Sequence, residues 1–198
     1  MSTASIKSSF ENPKTLIVIW QPMSLIPVSG RIEHNSVRII KIISGGQTGV
    51  DRAALDVAIE LGFEYGGFCP KGRLAEDGVI LNKYNLTELS SPQYLMRTFE
   101  NVQASDGTLI IHQGTVLGGT LKTKDYCQMI NKSFFEVNLL ENLEKIPLNF
   151  DTWIKENHIV IMNIAGPRES SAPIYNRTYA LLMDLLSPYK RQDVILIQ

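Results

Sequence analysis

The sequence is poor in the residues that build metal centres and disulfide frameworks. Among its 198 residues are two cysteines, Cys69 and Cys127, and three histidines, His34, His112 and His158. The cysteines lie too far apart for a Cys-x-x-Cys redox pair or a zinc knuckle, and the histidines show no i,i+4 pairing. A metal ion held directly by the protein is therefore not expected, and both thiols read as reduced. Long apolar runs are also missing: residues 16–20 fall far short of the ~20 a membrane helix needs, and no small-residue cleavage pattern follows them. A membrane partner is not expected, and the cytoplasm is the predicted location. Excess charge of one sign is absent too. With a formal net charge of -1 and a pI of about 6.3, nothing in the overall balance draws the chain to nucleic acid. Any cationic site must be local.

What is present is alternation. Residues 1–37 are rich in Ser, Asn and Pro, with one β-like patch at 15–20, and read as an N-terminal extension, partly disordered or adding a strand. A β-rich run at 37–43 then leads through glycines into 51–61, where Ala54, Val57, Ala58 and Leu61 recur at helical spacing. Residues 63–85 carry four glycines and predict a short strand running into a long structured loop. Helices are expected at 92–104, 119–131, 147–157 and 172–186, strands at 107–112, 134–139 and 159–164, and an edge strand at 193–197. Strands alternating with helices, several of them apolar throughout, predict an α/β fold over 38–198. The expected form is a Rossmann-like three-layer sandwich around a mostly parallel, doubly wound sheet.

Ligands of such sheets bind beyond the carboxyl ends of the strands, so the loops there carry the functional expectation. The first is Ser44-Gly45-Gly46-Gln47-Thr48-Gly49, continuing into Asp51 and Arg52. Between strand and helix, its N–H groups and the helix dipole favour an anion. It is neither the G-x-G-x-x-G fingerprint nor a Walker loop; the plain alternative is a tight turn capped by Thr48. The second holds Lys71 and Arg73 as phosphate ligands, with Glu76 and Asp77 to orient them, to bind a diol or to act as general acid or base. Its plain alternative is a solvated loop with internal ion pairs. In the third, Gly118 and Gly119 allow close approach while Thr120 and Thr123 offer hydroxyls; the plain alternative is a helix entry capped by Thr120. Arg168, after the last core strand, is placed to close the site. Phosphate affinity is expected chiefly from the first glycine loop together with Arg168.

These motifs together resemble one family. The runs from Ile43 through Asp56, Cys69-Pro70-Lys71-Gly72-Arg73 with Ala75-Glu76-Asp77-Gly78, Arg97-Thr98 with Asn101-Val102, Ser105-Asp106-Gly107-Thr108, Gly118-Gly119-Thr120 and 163–170 are similar to the molybdenum cofactor carrier-like family. That family sits among the Rossmann-like SLOG and lysine-decarboxylase-like proteins, and the resemblance spans about residues 38–186. It implies a carrier or binding protein for a phosphate-bearing ligand, either molybdenum cofactor, which is a pterin phosphate, or a nucleotide. Molybdoenzymes as recipients and a homo-oligomeric state are compatible with it. The alternatives are a nucleotide or ADP-ribose sensor and a phosphoribohydrolase-like enzyme that cleaves a nucleoside phosphate. Related hydrolases carry a catalytic glutamate after the second glycine motif, where this chain has Leu121, Lys122, Thr123 and Lys124.

Overall fold

The computed structural model describes residues 38–190; the extension 1–37 and the expected edge strand at 193–197 lie outside them. The chain runs β1 (Lys41–Ile43), α1 (Val50–Leu61), β2 (Glu64–Gly66), β3 (Phe68–Cys69), β4 (Leu74–Ala75), β5 (Gly78–Val79), β6 (Thr87–Glu88), α2 (Tyr94–Gln103) and β7 (Gly107–His112). It continues through α3 (Gly118–Met129), β8 (Ser133–Asn138), α4 (Ile146–Glu156), β9 (Ile161–Ala165) and α5 (Tyr175–Leu186). Five strands form one parallel sheet in the order β2-β1-β9-β7-β8. This is the Rossmann-like α/β sandwich, with its sheet wholly parallel.

The strand sequences explain this. All six residues of β7 are buried, as a strand covered on both faces requires. Helix α1 buries Val50, Ala53, Ala54, Val57, Ala58 and Leu61 and stops at Gly62, whose φ of 75° is left-handed. Helices α1 and α5 pack on each other, as do α2 and α3, and the two pairs flank the sheet. The main core joins Ile42, Leu109, Ile111, Met162 and Ile164 to the helices, and Phe150 and Trp153 of α4 pack with Phe135 of β8 at ring separations of 5.6–5.9 Å.

Two features position the site. Strand β9, the last of the described strands, inserts between β1 and β7, with Ile42 beside Met162 and Thr108 beside Asn163. The chain leaves β1 in one direction and β7 in the other, so the loops after β1, β9 and β7 stand side by side at a topological switch. The segment after β2 is also built rather than open. Strand β3 pairs with β6, β4 pairs with β5, and Leu55, Cys69, Ile80, Tyr84 and Leu86 form a second small core.

Helix α5 starts at Tyr175, later than the expected 172, because Glu169 accepts the N–H groups of Ile174 and Tyr175 at 3.1 and 2.9 Å and sets the first turn there.

Ile164 is fully buried on the strand between β1 and β7. Ile164→Ala should lower unfolding stability by about 2–5 kcal/mol, measured by urea denaturation; a loss under 1 kcal/mol would mean that the centre of the sheet is not the packed core described.

Candidate functional site

The loops after β1, β7 and β9 and the helices α2 and α3 enclose a cavity of about 500 Å³. Of the residues singled out from sequence, Gln47, Asp51, Gly118, Gly119, Thr120, Thr123 and Arg168 line it. Gly45, Gly46, Thr48, Gly49, Arg52, Lys71, Arg73, Glu76 and Asp77 do not.

The first glycine loop is closed on itself. Gln47 N donates to Asp51 Oδ2 at 3.3 Å, Thr48 N to Gln47 Oε1 at 3.0 Å, and Val50 N to Pro167 O at 3.3 Å. Asp51, 2% exposed, also accepts a 2.7 Å contact from Arg97 Nη1. Burial pushes the Asp51 carboxyl up from its ordinary value, and the Arg97 guanidinium pulls the other way. A guanidinium does not shed its proton, so a neutral Asp51 would leave Arg97 buried and unpaired; the pair stays ionic at neutral pH.

The glycines of this loop make room for the protein. A Cβ on Gly45 would fall 1.7 Å from Arg97 Nη1, one on Gly46 2.5 Å from Leu86 Cδ1, and one on Gly49 2.6 Å from Pro167 O. By contrast, a Cβ on Gly118 or Gly119 would meet nothing within 4 Å. Gly46 therefore faces the small core, while Gly118 and Gly119 face the cavity.

The charged residues of the second loop are engaged elsewhere. Arg52 pairs with Asp77 at 3.0 Å, donates to Gly46 O at 3.1 Å and lies over the Tyr84 ring. Arg73 donates to the carbonyls of Ile80, Leu81, Tyr84 and Leu86 at 2.9–3.2 Å, which clamps residues 80–86. Lys71 is exposed, and its backbone N–H bonds Ser91 O. Glu76 accepts from Ser170 N at 3.0 Å and from the hydroxyls of Thr48 and Ser170, while its own N–H reaches Gln47 Oε1 at 2.9 Å. It ties three loops together. Burial alone would raise its pKa, but these hydrogen bonds and the Arg168 charge hold it below the ordinary carboxylate value; Arg52 does the same for Asp77.

Helix α3 starts at the edge of the cavity. Its N-cap is Leu117, with no side-chain cap, rather than Thr120; α1 likewise starts from Gly49 rather than Thr48. Thr123 donates to Gly119 O, but the Thr120 hydroxyl, in a residue 5% exposed, has no partner among the described residues. Gln47, 7% exposed, uses its Oε1 twice, and its amide N–H groups have no partner there either. Arg97 Nε is buried without a partner among the described residues. Thr120 and Gln47 line the cavity, and polar side chains there can serve an acceptor inside it.

Sequence reasoning gave no role to Arg97, His112 or Asn163, all of which line the cavity. His112 Nε2 lies 3.2 Å from Glu136 Oε1 and Nδ1 2.7 Å from Gly114 O, so the ring pins the start of the third loop. The available signal was polar residues inside buried elements: Arg97, Thr98 and Asn101 at one-face spacing on α2, and Asn163 within an apolar strand. Tyr94, Leu95, Val116 and Leu117 supply an apolar side to the same cavity. Among the described residues no group of three His, Cys, Asp or Glu side chains is placed to hold a metal ion, and no helix is long and apolar enough to cross a membrane.

Residues 42–186 match the model of the circularly permutated YpsA SLOG family, cpYpsA. A solved structure from Syntrophus aciditrophicus SB, named "Putative molybdenum carrier protein", is 44% identical to the chain, with a TM-score of 0.72. The likeness covers 78% of this chain and 96% of that one. No curated protein matches the chain.

Because Glu76 is held ionised in the folded protein, its contribution to stability is complete above its ordinary pKa of 4.5 and is lost as pH falls through the lower folded value. Wild-type stability should decline on acidification below about pH 4.5, and Glu76→Gln should flatten that decline. Denaturant titrations across this range measure it, and identical pH profiles would show that Glu76 does not join the loops.

Proposed function

As this chain belongs to the circularly permutated YpsA SLOG family, we propose that it is a carrier-type binding protein for a phosphate-bearing cofactor or nucleotide. The observation that carries this reading is the convergence of free donors on one cavity. The uncapped start of α3 and the side chains of Thr120, Gln47 and Arg97 all border it. The phosphate seat is then the third loop, Gly118-Gly119-Thr120, across from Arg97. Helix dipole and N–H groups act there on a ligand no side chain displaces.

A pterin phosphate of the molybdenum cofactor type suits these residues. The phosphate takes the α3 N-terminus, the Asn163 and Gln47 amides serve ring polar atoms, and Tyr94, Leu95 and Leu117 cover the apolar side. Carried in this way the cofactor brings its own metal, and the name of the relative from Syntrophus aciditrophicus agrees with such a cargo. The two carboxylates considered for glycosidic hydrolysis, Glu76 and Asp77, lie outside the lining. A carboxylate held ionised by hydrogen bonds is also a poor proton donor. Binding without turnover is the better fit.

Titration calorimetry with a pterin phosphate, AMP and ADP-ribose should find a ligand; at ~100 times its dissociation constant it should add about 2.7 kcal/mol to stability. If none of the three binds, the reading fails. Gly119→Val, whose side chain would enter the cavity, should leave stability within about 0.5 kcal/mol and weaken that ligand at least about tenfold, ~1.4 kcal/mol. Undiminished affinity in Gly119→Val would move the phosphate away from α3.

A further inference from the structure

Resting on that reading, we infer that Asp51 is a specificity-determining residue that limits the ligand to a single phosphate group. In a strand-loop-helix unit the N–H groups of the loop and the helix start form an anion seat. In the β1-α1 unit that seat is already filled. Asp51, one residue into α1, turns its carboxylate back to accept Gln47 N–H at 3.3 Å, and the Val50 N–H goes to Pro167 O. The carboxylate is 2% exposed and gripped by Arg97 at 2.7 Å, so it is a fixed part of the wall.

Asp51 borders the same cavity as the open start of α3. The ligand thus meets one vacant anion seat and one already occupied by the Asp51 carboxylate. Two cations line the cavity, Arg97 and Arg168, and among the described residues no lysine does. Arg97 is balanced by Asp51, Arg168 faces Glu76 at 3.9 Å, and the His112 ring faces Glu136 at 3.2 Å. A second phosphate would bring further negative charge toward Asp51 with no unbalanced cation to receive it. The chemistry favours a phosphate monoester over a diphosphate.

Asp51→Asn keeps the size of the side chain and an oxygen for Gln47 N–H, removes the charge and leaves Arg97 free for an incoming anion. The test is calorimetry on the full chain with AMP, ADP and ATP, with inorganic phosphate and pyrophosphate as ring-free probes. Wild type should bind AMP at least about tenfold more tightly than ADP and phosphate more tightly than pyrophosphate; Asp51→Asn should bring AMP and ADP within about threefold by gaining ADP affinity. ADP bound as tightly as AMP by the wild type would overturn the inference and leave the binding reading standing. A wild-type preference for AMP that Asp51→Asn leaves unchanged would remove Asp51 from the role. No binding of any of these probes would overturn the inference, and no binding of a pterin phosphate as well would overturn the binding reading. Should Asp51→Asn fail to show native circular dichroism, the wild-type comparison alone decides.

Discussion

The buried pair between Asp51 and Arg97 is the constraint from which the rest of the site follows. It joins α1 to α2 across the head of the sheet, and Gly45 is the residue that lets the guanidinium lie against the loop. Removing one partner of such a pair leaves an uncompensated buried charge, at a typical cost of 3–5 kcal/mol. The arrangement therefore holds as a unit: the loop cannot open toward solvent without breaking the pair. With Asp51 fixed, the first glycine loop carries its own carboxylate, and one wall of the cavity carries the Asp51–Arg97 pair.

The same device recurs nearby. Glu169 closes the start of α5, and Glu76 holds the loops after β1 and β9 together. Asp51 thus takes a loop N–H ahead of α1 and Glu169 the first N–H groups of α5, while α3 begins on Leu117 at the edge of the cavity. A carboxylate near a helix start complements the positive end of its dipole. The Arg73 clamp on four carbonyls gives the long segment after β2 a comparable rigidity. Donors fixed in this way are in place before the ligand arrives, which lowers the ordering cost of binding.

The match along residues 42–186 to the circularly permutated YpsA SLOG family places these devices in a known architecture. The chain's likeness to a solved relative is high enough, at 44% identity, to share family as well as fold. A sheet with a topological switch offers a crevice in any such protein, and the side chains around it decide what enters.

Most of the fold was legible in the sequence because its signals are local. The apolar run of β7, the helical spacing of Ala54, Val57, Ala58 and Leu61, and the glycines between strand and helix each report a neighbourhood of a few residues. The glycine loops before α1 and α3 were legible for the same reason, since each joins a strand to a helix. Which loop stays open was not. Gly46 and Gly119 look alike along the chain, and only packing places Leu86 against one and empty space against the other. Arg52 and Arg73 are bound by partners 25 residues away and by carbonyls of the following loop, so sequence shows their charge but not their engagement. Arg97 joins the site from another helix, 46 residues from Asp51, through a contact with no local signature. The sequence by itself determined a parallel α/β sandwich with glycine loops at one edge; the tertiary structure decided which of those loops faces the cavity, because long-range contacts determine whether a donor is already satisfied.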